Sequence, residues 1–367
     1  MAMLAGILIG TILLAGALWN NWGQTTFVFF KPVVCPLYSL ICPLYCIPKE
    51  PMPMRSRIYR TKSALLAFLF LVWVSCFAQA DDRYHRVSIA HGGASQHLPF
   101  SSLTAFKAAI PMQPDYIETD VQLTANGVLI CFHDVALERR TNVAELYPDR
   151  FTEIEIDNKI VKTWYVNDFN LSEIKTLDFG SWFGPEYANE RIVSFQELID
   201  LSKGKVGLYP ETKDPGFYSA RGLDIDQALH ELFVHNGLHT PEGQIGTPIV
   251  IQSFHESSLK RLRELNGDNY ALIQLVWTGQ SYDYLSAEGL RHIAAYADGV
   301  APLLSMVLPP NQDRIEAAHS NGLWVHIWHS SEGFPAAGYT AKSYMKYLMD
   351  TLQIDGVMNH EPDQFPF

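Results

Sequence analysis

The chain has 367 residues, 48% of them hydrophobic, and a net charge of −12, enough to bury one large core or two modest ones. The acidity is uneven: the first eighty residues carry six basic residues and one acid, Glu50, which leaves the remainder at about −17. A body of that sign argues against nucleic acid or an anionic membrane surface as partner, although a local cation can still admit an anionic substrate to one cleft.

Residues 1–53 hold an uncharged apolar run from Ala2 to Trp19 and a Pro-broken stretch from Phe27 to Ile47. Met54 then begins a complete secretory signal: Arg55, Arg57, Arg60 and Lys62, an apolar run from Ala64 to Val74, and Ala78-Gln79-Ala80 before Asp81-Asp82. We therefore read 54–80 as a signal peptide cleaved after Ala80, and 81–367 as the globular domain of an exported, periplasmic or secreted protein. Residues 1–53 are then an over-extended reading of the gene or a genuine membrane extension. The alternative, an uncleaved anchor, would be the chain's membrane contact. Four of the five cysteines lie in this N-terminal part. Cys131 is left alone in the body, without an intrachain disulfide partner, and reads as a small buried apolar residue rather than a nucleophile.

From Asp81 onward, short apolar runs alternate with stretches of helical periodicity. Strands are expected at Val87 to Ala90, Tyr116 to Leu123, Val128 to Phe132, Val206 to Glu211, Pro248 to Ser253, Ala271 to Val276, Gly299 to Ala301, Leu323 to Trp328 and Gly356 to Asn359. Helices fit at Ser102 to Ile110, Asp224 to Asn236, Glu256 to Leu265, Arg314 to Ser320 and Ala341 to Leu352. Roughly eight such units in about 287 residues predict an α/β fold, a closed (β/α)8 TIM barrel, in place of an open doubly wound sheet, which would carry a Gly-rich fingerprint after its first strand. The segment Glu138 to Arg191 breaks the rhythm with Trp164, Tyr165, Trp182 and Phe183, and reads as an insertion over the catalytic mouth or, equally, as one that merely packs against the barrel.

Strand ends are where such folds place their chemistry. Glu118 and Asp120 stand two apart in an alternating run, so both carboxylates share a face. Glu211 ends a later strand, and three carboxylates from strand ends can hold a hard divalent ion, Ca²⁺ or Mg²⁺, with positions left for water and substrate. The plainer reading is surface acids that merely solvate. His91 ends the first strand and His133 follows the third, a pair suited to acid and base work near neutral pH or, alternatively, to structural roles. Lys213, two residues after Glu211, could hold a phosphate oxygen or stand as a solvated end residue.

The segments Ile89-Ala90-His91-Gly92-Gly93-Ala94-Ser95, Glu118-Thr119-Asp120 and Phe132-His133-Asp134, in that order, resemble the glycerophosphodiester phosphodiesterase family. Thr141-Asn142-Val143, Leu208 to Lys213, Tyr296 to Val300, Leu323 to His326 and Ile354 to Val357 are similar to its periplasmic branch, and the likeness runs from Arg86 to Asp363. The resemblance implies a TIM-barrel hydrolase that cleaves small-molecule glycerophosphodiesters to glycerol 3-phosphate and an alcohol. It makes His91 and His133 the acid/base pair, Glu118, Asp120 and Glu211 the metal ligands, and Lys213 a phosphate contact. Trp328 lies where the family often carries an aromatic at the mouth, to contact glycerol or leaving group, or to pack in the core.

Two departures stand out. The family usually has Arg after the first histidine and Glu after a proline downstream; this chain has Gly92 and Phe100, a charge and its countercharge missing together. Near the C-terminus the usual Thr-Asp pair is replaced by Asn359-His360. These changes motivate two alternatives: a degenerate barrel that binds phosphodiesters without cleaving them, and a lysophospholipase D-like hydrolase whose aromatic insertion grips an acyl chain.

Overall fold

Strands that are apolar on both faces need cover on each side, which a sheet closed on itself inside a ring of helices provides. The computed structural model, which describes residues 86–329 and 334–366, takes that form. The extension at 1–53 and the signal segment at 54–80 lie outside the described residues.

Eleven strands are present among the described residues: β1 Val87–His91, β2 Tyr116–Leu123, β3 Leu129–Cys131, β4 Thr152–Ile156, β5 Lys159–Thr163, β6 Gly207–Thr212, β7 Val250–Ser253, β8 Ala271–Val276, β9 Gly299–Pro302, β10 Trp324–Ile327 and β11 Gly356–Asn359. Eight of them, β1, β2, β6, β7, β8, β9, β10 and β11, pair in that order, all parallel, and β11 returns to β1. The result is the expected (β/α)8 barrel. The five expected helices all form to within a residue or two, and Ser102, Ser194, Asp224, Ser286 and Thr340 cap helix starts by accepting from backbone N–H groups.

The run Val128 to Phe132 is not a barrel stave. Its centre, β3, pairs antiparallel to the end of β2, because the short link after Leu123 allows a hairpin but not the dozen or more residues of a parallel crossover. His133 therefore leaves a rim hairpin.

Side-chain parity then builds the mouth. Along β2, Tyr116 joins Val87, Ile89, Tyr209 and Ile273 inside the barrel, while Ile117 and Val121 pack outward in the larger core that includes the helices. The two-residue period turns Glu118 and Asp120 inward above Tyr116. The same period turns His91 inward after Ile89, Glu211 after Tyr209, Gln252 after Val250 and His360 after Met358. Register brings them level: His91 lies opposite Glu118, Asp120 opposite Glu211, and Glu211 opposite Gln252. Deeper in the barrel, His326 is fully buried with its Nδ1 2.9 Å from the Tyr209 hydroxyl, which makes it a core histidine.

The insertion mostly packs. Trp164, Val166, Phe169, Ile174 and Phe179 form a separate core with Ile130 and Phe132, and β4 and β5 make a hairpin turning at Asp157 and Asn158, both at positive φ. Among the described residues of Glu138–Arg191, Arg139 and Arg140 are those that line the cleft below.

Candidate active site

A cleft of about 1440 Å³ opens at the C-terminal ends of the barrel strands, and His91, Asp120, His133, Glu211, Lys213 and Trp328 all line it. Glu118 lies just beneath its surface, 1% exposed. The ligand atoms of Glu118, Asp120 and Glu211 lie within 4.8 Å of one another. Every site residue expected from the sequence thus converges on one cavity.

Three carboxylates at that distance repel when ionised, and the surrounding charges decide which of them stays ionised. Burial, reinforced by Asp120 and Glu211, pushes the Glu118 carboxyl well above the usual carboxylate range. Burial raises Glu211 to about 7, against the opposing pull of Lys213. Asp120 goes the other way: burial would raise it, but Lys213, His133 and His91 together hold it below its ordinary value. The Lys213 ammonium stands 3.1 Å from Asp120 Oδ1 and 2.8 Å from Glu211 Oε1. Burial disfavours that charge, yet the two carboxylates more than offset the cost and keep the lysine protonated.

The histidines are held differently. His133 Nδ1 lies 2.6 Å from Asp134 Oδ1. The Asp120 charge raises its pKa, with the Asp134 bond adding to this, and the two outweigh burial and Lys213. Asp134 is in turn 3.6 Å from Arg140 Nε. His91 is pushed well below its usual value, first by burial and then by His360, whose Nε2 lies 3.2 Å from His91 Nδ1. One ring therefore favours the charged form and the other the neutral form.

Sequence reasoning had no role for several neighbours. Gln252 carries no distinctive signal, yet its Nε2 donates to Glu118 Oε1 at 3.2 Å, and the Gly92 N–H donates to Glu118 Oε2 at 3.0 Å. Asp134 could have been found from its place directly after His133. Arg140 lies over the Trp182 ring, 5.0 Å from its centroid, at the cleft rim. Phe254 and Trp328 form an edge-to-face pair at 5.7 Å, with Lys213 Nζ 5.8 Å from the Phe254 ring. This leaves Trp328 in the cleft wall, partly buried.

A profile of the Glycerophosphoryl diester phosphodiesterase family matches residues 91–364. The chain belongs to this family. Similar proteins include a glycerophosphodiester phosphodiesterase of Bacillus subtilis, 29% identical over 76% of this chain and 85% of the relative, and one of Arabidopsis thaliana, 28% identical over 74% and 82%. Among solved structures, an Oleispira antarctica phosphodiesterase in complex with the product sn-glycerol-3-phosphate has a TM-score of 0.57 at 21% identity, covering 77% of this chain and 95% of that one. A glycerophosphodiester phosphodiesterase of Agrobacterium tumefaciens has a TM-score of 0.55 at 21% identity, over 76% and 98%. These two likenesses establish the shared barrel.

Gly92 and Phe100, singled out in the sequence, are coupled sterically. Gly92 sits at φ +62°, and a Cβ built there would lie 2.4 Å from the Phe100 ring. That ring packs edge-on to His91, with centroids 5.0 Å apart. Phe100 therefore occupies the space that any side chain at position 92 would enter, so the two residues are sterically matched.

Proposed function

We propose that the protein is a metal-dependent phosphodiesterase that hydrolyses glycerophosphodiesters to glycerol 3-phosphate and an alcohol. The observation that carries this reading is the convergence of three carboxylates, two histidines of opposite protonation preference and one lysine in a single cleft.

The donor set fits a hard cation. It is all oxygen, and Asp120 Oδ2 is buried with no hydrogen-bond partner among the described residues, a costly arrangement that an ion would relieve. Glu118, Asp120 and Glu211 would hold Ca²⁺ or Mg²⁺, and the bound ion would supply positive charge to polarise the phosphoryl oxygens. The protein's own residues do the rest. Lys213 reaches a phosphate oxygen as a point charge. Asp134 fixes the His133 ring, and His91 and His133 exchange protons with the attacking and departing oxygens. Gln252 and the Gly92 N–H hold Glu118 in place from two sides.

The rival readings lose ground for stated reasons. A silent binding barrel gives no account of why both histidines and all three carboxylates are kept together. A lysophospholipid grip needs aromatic rings over the cleft, yet Trp164, Phe169 and Phe179 are buried in their own core, and among the described residues the insertion lines the cleft through Arg139 and Arg140, with the exposed Trp182 packed against Arg140 at the rim.

The test is hydrolysis of glycerophosphocholine by the purified protein, before and after chelation. Release of glycerol 3-phosphate that stops on chelation and returns with Ca²⁺ or Mg²⁺ is expected; cleavage of lysophospholipid with glycerophosphocholine untouched would overturn the substrate class. We also propose that the protein acts outside the cytoplasm after cleavage behind Ala80, a reading supported by the basic, apolar and small-residue succession from Arg55 to Ala80. Intact mass of the exported product should begin at Asp81, and a mature chain starting well upstream would refute the cleavage.

A further inference from the structure

His360 stands where the family usually has the aspartate of a Thr-Asp pair, and its ring touches a histidine of the proposed acid/base pair. We propose that Ser95 and His360 are positioning residues that lock His91 in one tautomer, with the proton on Nδ1 and the lone pair on Nε2, so that His91 is the proton acceptor and His133 the proton donor. The division of labour rests on the hydrolase reading of the cleft; the lock itself rests on hydrogen bonds alone.

The argument is a count of protons along one chain of contacts. The Ser95 hydroxyl has a single proton, and it donates it to the His91 carbonyl oxygen at 2.5 Å. A carbonyl cannot donate in return. The remaining contact of Ser95 Oγ, 2.7 Å from His360 Nδ1, must therefore have the ring nitrogen as donor. A neutral His360 with its proton on Nδ1 has a bare Nε2. That nitrogen lies 3.2 Å from His91 Nδ1, so the proton between them belongs to His91. His91 Nε2 is then unprotonated, and it is the nitrogen turned toward the carboxylate cluster, 3.7 Å from Glu118 Oε2.

The count applies to neutral rings at both His91 and His360. Burial, with the neighbouring His329 adding to it, lowers the His360 pKa to about 4, so that ring is neutral through the physiological range. Family members with a carboxylate at this place would hold His91 Nδ1–H by charge; here a neutral imidazole gives the same direction without stabilising the imidazolium as strongly.

The chemical consequence balances. The attacking water loses one proton to His91 Nε2 as its oxygen bonds to phosphorus. The departing P–O bond breaks as His133 gives a proton to the leaving oxygen. Both histidines end with their protonation exchanged, and release of the alcohol and phosphate product lets solvent restore them.

The test uses the whole protein labelled with ¹⁵N-histidine. Imidazole nitrogens with and without a proton resonate far apart, so the His91 tautomer reads directly, with and without Mg²⁺ and with no substrate present. A protonated Nδ1 and bare Nε2 in His91 are expected, and the reverse pattern overturns the lock. His360→Ala should scramble the tautomer and lower kcat by about 10- to 100-fold while KM changes little. His360→Gln, whose amide oxygen can accept from His91 Nδ1, should keep the tautomer and restore most of kcat. Equal kcat in the Ala and wild-type proteins would overturn the positioning role. The wild-type spectrum needs neither folding of a variant nor turnover, so it judges the lock separately from the substrate reading.

Discussion

Replacing His133 by Ala is expected to lower kcat by about 10²- to 10⁴-fold, the usual contribution of a positioned acid or base, while thermal unfolding changes little. The side chain is 42% exposed and sits on a rim hairpin, so truncation opens no core cavity. Chemistry should fall and the fold should not. Because Asp120 and Asp134 favour the charged ring, the loss should be greatest where the wild-type ring is protonated. The wild-type profile should also decline on its alkaline side as that proton is lost. Asp134→Asn keeps a partner for the ring but removes the charge, so it should move that decline to lower pH. A His133→Ala protein with wild-type turnover would remove this residue from the mechanism.

Asp120→Asn should have a comparably large effect by a different route. It removes one of three charges from the cation cluster and the largest single influence that keeps His133 protonated. A metal's charge stabilisation is worth several kcal/mol, so a loss of roughly 10³-fold in kcat/KM is expected. Stability gives an independent readout. The Glu118 and Glu211 carboxyls have native pKa values above their ordinary ones. The stability that such protonated groups contribute is present at low pH and lost as pH rises through the native value, about 7 for Glu211. The metal-free protein should therefore weaken from pH 6 to 8, and the rise in Tm on adding Mg²⁺ or Ca²⁺ should be larger at pH 8 than at pH 5.5. In Asp120→Asn the crowding is relieved, so the metal-free decline should flatten and the metal-induced rise shrink. An unchanged response to metal would show that the ion, if any, binds elsewhere.

The barrel was legible because its signal is local. Strand-length apolar runs alternate with capped helices, and β2 shows its inward and outward faces in eight consecutive letters. The carboxylates at 118 and 120 followed from the same period. What escaped was set by neighbours distant in sequence. Gln252 has an unremarkable side chain whose partner is a glutamate on another strand, and no spacing announces that contact. His360 changes meaning only when β1 and β11 pair and bring it to His91. Aromatic composition alone does not distinguish rings that face a ligand from rings that face one another, and the insertion divides: Trp182 stays exposed over Arg140 at the rim, while Trp164, Phe169 and Phe179 pack inward. The inner rings have sheet residues Ile130 and Phe132 to pack on. The letters of β3 suit either a parallel or an antiparallel pairing, and the brevity of the preceding link decides for the hairpin.

The interlocked glycine and phenylalanine at the mouth have a consequence for how this protein can change. An arginine introduced at 92 would meet an aromatic ring already in its path, whereas a glutamate at 100 would place an acid beside His91 and near Arg140, whose guanidinium carbon lies 5.8 Å from the Phe100 ring centroid. A side chain at 92 therefore requires that the ring at 100 move or be removed. Substitutions at the two positions should accordingly be non-additive in stability.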